Sequence, residues 1–144
     1  MLHQITHNNQ TLAIIVKNNF HKDGVEFFTP DDFSQQLGYM SHKKGKIIEA
    51  HIHNPVKREV HLTKEVLFIK KGKVRVDFYD DNKNYLDKSI ILEAGDVILL
   101  AYGGHGFEVL EDLEMIEVKQ GPFVGNQDKI RFTGINQTQA KIIS

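Results

Sequence analysis

The sequence contains no cysteine among its 144 residues. This absence excludes disulfide bonds, metal sites built on thiolates and catalysis by a cysteine nucleophile. It fits an intracellular protein, although secreted proteins can lack cysteine as well. The amino terminus has no basic stretch followed by a long apolar run. No signal peptide is therefore predicted, and we expect a cytoplasmic protein.

The sequence also lacks an excess of charge of either sign and any long apolar run. Its 18 basic and 19 acidic residues give a net charge of -1. A protein that binds nucleic acid usually carries a basic patch, so we expect no nucleic-acid partner. The longest apolar runs, such as VILLAY, are far shorter than the roughly 20 residues that span a membrane, so no membrane partner is expected either.

The sequence does contain the periodicity of β-strands. In the stretch 73–80, Val74, Val76 and Phe78 alternate with polar residues, which predicts that these three side chains share one face of a strand. Many short strands separated by turn residues, with little helix, are typical of an antiparallel sandwich or barrel. Because 144 residues suffice for one domain with a real core, residues 1–144 are predicted to form a single domain.

Turn residues divide the chain into predicted hairpins. The KKG sequence at 70–72 is predicted to form a short turn between two strands, and the acidic residues 111–112 divide a second pair of strands. A third hairpin is predicted to turn at residues 42–45, which would place residues 46–53 on its second strand. Further short strands are expected near the amino terminus, within residues 11–29.

Two histidines, His51 and His53, lie one residue apart in the sequence AHIHNP. On a strand, side chains two residues apart point to the same face at a spacing of about 7 Å, so both imidazoles could bind one ion. Two further candidate ligands follow, because Glu65 begins the next predicted strand and His105 lies beside three glycines later in the chain. Two histidines, a carboxylate and a third histidine are a plausible ligand set for a divalent metal ion.

With these motifs the sequence resembles the cupins, a family of small jelly-roll β-barrels. The first cupin motif is a glycine, five residues, His-x-His, a spacer, a glutamate, six residues and a glycine. Here GKIIEAHIH and EVLFIKKG supply its two halves. The second motif begins with Gly-Asp and ends in a histidine, as GDVILLAYGGHGF does. The resemblance covers residues 45–118, about half of the chain.

The resemblance implies an all-β fold, an antiparallel double-stranded β-helix or jelly-roll barrel, that holds a divalent metal ion. The implied ligands are three histidines and one glutamate: His51, His53, Glu65 and His105. Iron, manganese, nickel, cobalt and zinc all suit such ligands. The spacer after the histidine pair is longer than in the family, and Glu59 lies nearer the usual spacing, so Glu59 and His61 remain reserve ligands. The second motif lacks its usual proline and is one residue short.

A metal ion with an open coordination position would allow two kinds of chemistry. It could polarise a carbonyl or enediolate oxygen while a base moves a proton, as in sugar isomerisation or epimerisation. With iron, the open positions could instead bind dioxygen beside a chelating substrate. Short cupins of this kind resemble proteins that act on sugars or surface-polysaccharide precursors, which implies an isomerase or epimerase. An iron-dependent dioxygenase and a non-catalytic cupin that binds a small polar ligand remain alternatives.

The sequence leaves the catalytic base and the partners open. The candidate bases are four residues that could reach a bound substrate: Glu59, His61, Tyr102 and Glu117. Lys119 and Gln120, at the end of the last strand, either finish it with a turn, which is favoured, or reach over the pocket to hold an anionic or sugar substrate. Small cupins commonly pair by exchanging edge strands, so a homodimer is expected in which residues 12–28 exchange. The opposite prediction is a monomer whose amino terminus folds back on its own sheet.

Overall fold

The computed structural model describes all residues, 1–144, and its regular structure is mostly antiparallel β-strand. Eight strands follow one another along the chain: β1 Leu2–His7, β2 Gln10–Val16, β3 Gly24–Phe27, β4 Gly38–Ser41, β5 Glu65–Tyr79, β6 Tyr85–Glu93, β7 Val97–Leu100 and β8 Gly104–Lys119. Two short 3₁₀ helices, Gly125–Asp128 and Gln137–Gln139, come after them. Neither helix is long and apolar enough to cross a membrane. The predicted all-β class is confirmed.

Six of the strands form one curled sheet, half of a barrel. The first half of β5 pairs with β7, its second half pairs with β6, and β8 pairs with both halves. On the far side of β7 lies β2, which pairs in turn with β1. The remaining strands, β3 and β4, form a separate hairpin. This curled antiparallel sheet is consistent with a β-barrel.

A bend in the middle of β5 and β8 curls the sheet. The pairing register between the two strands shifts at three places between Ile69 and Val74. Within this stretch Gly72 has a φ of +85°, and a Cβ atom at this residue would overlap the backbone oxygen of Asp112 on β8. Only glycine combines this backbone conformation with so close an approach of a neighbouring backbone. The bend therefore depends on Gly72.

The hairpin turns predicted at residues 70–72 and 111–112 are wrong. Each region continues through the predicted turn as one strand, of 15 residues in β5 and 16 residues in β8. The two halves of β5 find their partners in β6, β7 and β8 rather than in each other. Because these partners satisfy the backbone hydrogen bonds of both halves, the strand bends at Gly72 instead of folding back on itself.

The hairpin predicted to turn at residues 42–45 is also wrong. The partner of β4 lies earlier in the chain, in β3, where Val25 is opposite Met40. Residues 42–64 form no strand, so the histidine pair does not lie on one. The apolar residues of this segment have no sheet to pack against, and the side chain of Ile52 is 89% exposed. The predicted strand periodicity therefore finds no partner here.

The main hydrophobic core is built from residues of the curled sheet. Val74, Val76 and Phe78 belong to it and are almost completely buried, which confirms their predicted common face. The polar residues that alternate with them are buried as well: the guanidinium of Arg75 donates to both carboxylate oxygens of Asp77. The carboxyl-terminal residues pair with the free edge of β6, because the backbone of residues 141 and 143 hydrogen-bonds to Ser89.

The amino-terminal strands belong to the chain's own sheet. The predicted strands within residues 11–29 are present as β2 and β3. In β2, Ala13 lies opposite Leu100 of β7 on one side and Ile5 of β1 on the other. Since both edges of β2 are paired within the chain, the expected exchange of this strand between two copies would require these pairs to break.

Candidate functional site

An open cleft of about 900 Å³ lies beside the curled sheet. One part of its wall comes from the start of β5, where Glu65 lies, and from the loop between β7 and β8, which carries Tyr102. His105, near the start of β8, belongs to the same wall. Most of the rest of the wall comes from Lys119, the final residue of the last strand, and from residues between 124 and 134. A cleft of this size accommodates a small organic molecule.

Two of the four predicted metal ligands, Glu65 and His105, are in direct contact in the cleft. The Nε2–H of His105 donates to Oε1 of Glu65 at 2.8 Å, and both side chains are largely buried. In the pairing of β5 with β8, Glu65 lies opposite Lys119 and His105 lies opposite Phe78, at the two ends of the ladder. The bend in the middle of the ladder brings these ends together.

Glu117, one of the candidate bases, extends this contact into a group of three. Its carboxyl group shares a hydrogen bond with the carboxyl group of Glu65. The hydrogen bond from His105 lowers the pKa of Glu65 to about 2, although burial opposes this shift. The hydrogen bond with Glu65, together with burial, raises the pKa of Glu117. When the two carboxyl groups hold one proton, these opposite shifts place it mainly on Glu117.

The other two predicted ligands, His51 and His53, lie outside the cleft lining. Both are exposed, and their ring centroids are 5.2 Å apart. The Nδ1 atom of His51 lies 2.9 Å from the backbone oxygen of Glu49. Because a carbonyl oxygen only accepts, Nδ1 carries the proton in this contact, and the neutral ring keeps a lone pair on Nε2. This is the tautomer that a metal-binding histidine with a backbone partner adopts.

The structure thus arranges the predicted ligands as two pairs. No group of three or more histidine, cysteine, aspartate or glutamate residues in the chain is placed to hold a metal ion. The donor types suit a divalent ion, because imidazole and carboxylate ligands bind first-row transition metals. Their common site would need residues 42–64 to bring the histidine pair to the cleft. The four-ligand site therefore stays a prediction.

The remaining candidates differ in their distance from the cleft. His61 and Tyr102 line it, whereas Glu59 does not. Glu59 and His61 form a loose pair, with 3.5 Å between Oε2 and Nε2, and both are mostly exposed. The ring of Tyr102 packs edge-on against that of Phe33, with centroids 5.9 Å apart. Tyr102 is therefore the better fixed of the two candidates in the cleft.

Residues 119–134 contribute several cleft residues, of which the sequence singled out only Lys119. Lys119, for which a simple turn was the favoured interpretation, lines the cleft, and its Nζ lies 3.4 Å from Asp128. Lys129, Arg131 and Phe132 line the cleft as well. No motif or spacing marks these residues, because a short run of mixed charge is usually a solvated surface. Only the path of the chain after β8 places them here.

A scan against protein-family models and searches of curated proteins and of solved structures found no significant match to this chain. The cupin resemblance therefore rests on the motif residues alone. The chemistry of the cleft has to be inferred from the side chains that form it.

Proposed function

We propose that this chain is a cupin with a jelly-roll fold whose cleft binds a sugar or a related small polar molecule and catalyses proton transfer, as an isomerase or epimerase does. The observation that carries this proposal is the contact between Glu65 and His105 in the wall of the cleft. These two residues come from the two separate sequence motifs. A carboxylate, an imidazole and the carboxyl group of Glu117 then lie side by side, and such groups can give and accept protons.

The structure reduces the number of candidate bases that could contact a substrate directly. His61 and Tyr102 line the cleft, whereas Glu117 reaches it through Glu65. A catalytic base has to lie within hydrogen-bond reach of the proton that it removes. We therefore keep His61 and Tyr102 as candidates for direct contact with a substrate, and we assign to Glu117 the role of holding the proton of the carboxyl pair. Glu59, which faces solvent outside the cleft lining, is the weakest candidate.

We also propose a divalent metal ion at this site. His51, His53, Glu65 and His105 would hold it, and the ion would polarise a carbonyl or enediolate oxygen of the substrate. The available lone pair on Nε2 of His51 and the short distance between the two rings of the pair support this proposal. Binding of a metal to Nε2 of His105 would replace its hydrogen bond to Glu65, because a ring nitrogen that carries a proton has no lone pair for the ion.

The metal content of the protein tests the site. Untagged protein purified without chelator is analysed by elemental analysis, together with His51→Ala, Glu65→Ala and His42→Ala. The last variant removes an exposed histidine that is no predicted ligand. We expect close to one equivalent of metal in the wild type and in His42→Ala, and a several-fold loss in the other two. Equal metal in all four proteins, or none after incubation with iron, manganese, nickel, cobalt and zinc, would overturn the proposed metal site.

Proton transfer is tested separately. The protein, loaded with the metal that it retains, is incubated with aldoses, ketoses and their phosphates in D₂O. An isomerase or epimerase introduces deuterium at the carbon next to the carbonyl group, and NMR detects this exchange. Oxygen consumption in place of exchange would favour the iron-dependent dioxygenase, and binding without either reaction would favour the non-catalytic cupin.

The homodimer stays a prediction. Both edges of β2 are already paired in the chain's own sheet, so exchange of the amino-terminal strands does not follow from the structure. Sedimentation equilibrium of the wild type gives the mass in solution. A mass of 16.5 kDa, that of one chain, would exclude the dimer.

A further inference from the structure

The charged residues of the cleft differ in whether they already have partners. Glu65 accepts a hydrogen bond from His105, and Asp128 accepts one from the hydroxyl group of Thr63 at 2.8 Å. Lys119 lies 3.4 Å from the second oxygen of Asp128. By contrast, the side chains of Lys129 and Arg131 take part in no salt bridge and no hydrogen bond within the chain. Both of them line the cleft.

The segment that carries these two cations is fixed at both ends. On one side Asp128 is bound by Thr63 and Lys119. On the other side the ring of Phe132 packs edge-on against that of Tyr79, with centroids 5.0 Å apart. The hydroxyl group of Tyr79 also accepts a hydrogen bond from the backbone N–H of Ile135 at 2.9 Å. The backbone between these anchors therefore has a defined position beside the cleft.

The charge of Lys129 also acts on the two carboxyl groups at the contact between Glu65 and His105. Hydrogen bonds and burial are the main causes of the pKa shifts of Glu65 and Glu117. In addition, the charge of Lys129 lowers the pKa of both groups. The carboxyl group of Glu65 is already engaged by His105 and by Glu117. Lys129 and Arg131 are thus two cations of the cleft lining that form no ion pair with a carboxylate of the chain.

We propose that Lys129 and Arg131 form a subsite for the phosphate group of a phosphorylated small molecule. A phosphate monoester carries close to two negative charges at neutral pH, which matches two cations. The guanidinium group presents a planar set of donors that suits phosphate oxygens, and the ammonium group adds a compact charge. The cleft of about 900 Å³ has room for a sugar-sized body beside the phosphate, next to Glu65 and His105.

One further carboxylate lines the cleft and pairs with neither of these two cations. Asp81, in the turn after β5, lines the cleft and has no side-chain partner. It makes no salt bridge with Lys129 or with Arg131, so it does not neutralise them. A free carboxylate at this place would accept hydrogen bonds from the hydroxyl groups of a sugar.

This inference rests on the proposed function in naming a substrate class, but it does not need the metal ion. The experiment therefore uses full-length protein stripped of metal by a chelator that is then removed. Glucose 1-phosphate, inorganic phosphate and unmodified glucose are the three probes, and isothermal titration calorimetry measures their binding. The variants are Lys129→Ala and Arg131→Ala. Lys43→Ala serves as the control, because it removes an exposed lysine outside the cleft.

We expect glucose 1-phosphate and inorganic phosphate to bind and glucose alone to bind much more weakly. Each cleft variant should weaken binding of both phosphate probes by about tenfold or more, because each removes a charge-assisted contact. The control should bind both phosphate probes like the wild type. A higher salt concentration should weaken the binding of these probes to the wild type and to the control. Since all three changed residues are exposed, circular dichroism should show the same fold throughout.

Three results would overturn the phosphate subsite. These are no binding of either phosphate probe to the wild type, equal weakening by Lys43→Ala and by the cleft variants, and binding that neither cleft variant changes. The titrations use metal-free protein, so their outcome is independent of the metal proposal, which the elemental analysis tests. If both phosphate probes bind and the cleft variants weaken them, while the untreated wild type holds no metal after incubation with the five metals, the subsite is confirmed and the proposed metal site is wrong.

Discussion

Glu65 and His105 are 2.8 Å apart although they lie at opposite ends of the same strand ladder. His105 is paired with Phe78, which is 13 residues beyond Glu65 on β5. In a straight strand this separation would be roughly 43 Å, at about 3.3 Å for each residue. The contact therefore exists only because β5 and β8 bend together. The candidate site is a product of this bend.

Replacing Gly72 with alanine should destabilise the protein by about 2 kcal/mol or more. The new Cβ would overlap the backbone oxygen of Asp112, and the φ of +85° is unfavourable for alanine. Urea denaturation followed by circular dichroism measures the loss in free energy of unfolding.

Gly45→Ala is the matched control for this change. Its φ of +92° is similar, but no atom lies near a Cβ built at this residue. It should cost only the backbone term, about 1 kcal/mol. Equal losses in the two variants would show that the close approach of β5 and β8 at Gly72 does not constrain the fold.

The stability of the folded protein should fall in acid through Glu65. The pKa of this residue is lowered to about 2 in the folded protein, whereas its ordinary value is 4.5. Its contribution is therefore fully present above about pH 4.5 and is lost as the pH falls towards 2. Glu65→Gln should lose stability at neutral pH and should show a smaller difference between pH 6 and pH 3 than the wild type.

Glu59→Gln is the control for the acid series, because Glu59 is mostly exposed and contacts only His61, loosely. Its unfolding free energy should follow that of the wild type at every pH. If Glu65→Gln and Glu59→Gln have the same pH profile, the hydrogen bond from His105 does not stabilise the folded protein.

Glu117→Gln should change the stability of the folded protein in the opposite direction to Glu65→Gln. The pKa of Glu117 is raised in the folded protein, so folding favours its protonated form. The contribution of Glu117 to the free energy of unfolding is therefore fully present below its ordinary pKa, and it is lost as the pH rises through the raised pKa. A glutamine imitates the protonated form at every pH. We therefore expect Glu117→Gln to be more stable than the wild type at pH 8 and equal to it at pH 4. A destabilised variant at pH 8 would contradict a shared proton in the Glu65–Glu117 pair.

Asp77→Ala should lower the free energy of unfolding by about 3 to 5 kcal/mol, because it leaves the buried guanidinium of Arg75 without its main partner. Glu26→Ala provides the comparison, since it breaks the more exposed pair of Glu26 with Lys22. That loss should stay below about 1 kcal/mol. Thermal and urea unfolding measure both variants, and equal effects would mean that burial of the Arg75–Asp77 pair has no energetic consequence.

Local sequence patterns predicted part of the candidate site. The motif spacing singled out Glu65 and His105, and the two residues do meet. The same spacing singled out His51 and His53, but the structure leaves them on residues 42–64, which form no strand. The difference is that β5 and β8 have pairing partners on long ladders, whereas residues 42–64 have none in this chain. Metal binding at the four residues remains the prediction to test.

The sequence by itself determined the all-β class and the buried face of β5. Alternation of apolar and polar residues is a local property, and the side chains of Val74, Val76 and Phe78 have to leave water together wherever the strand packs. Only the tertiary structure decided that β5 bends at Gly72 instead of turning, and that Lys129 and Arg131 line the cleft. These outcomes depend on which distant segments pair, since backbone hydrogen bonds are satisfied by whichever strand lies alongside.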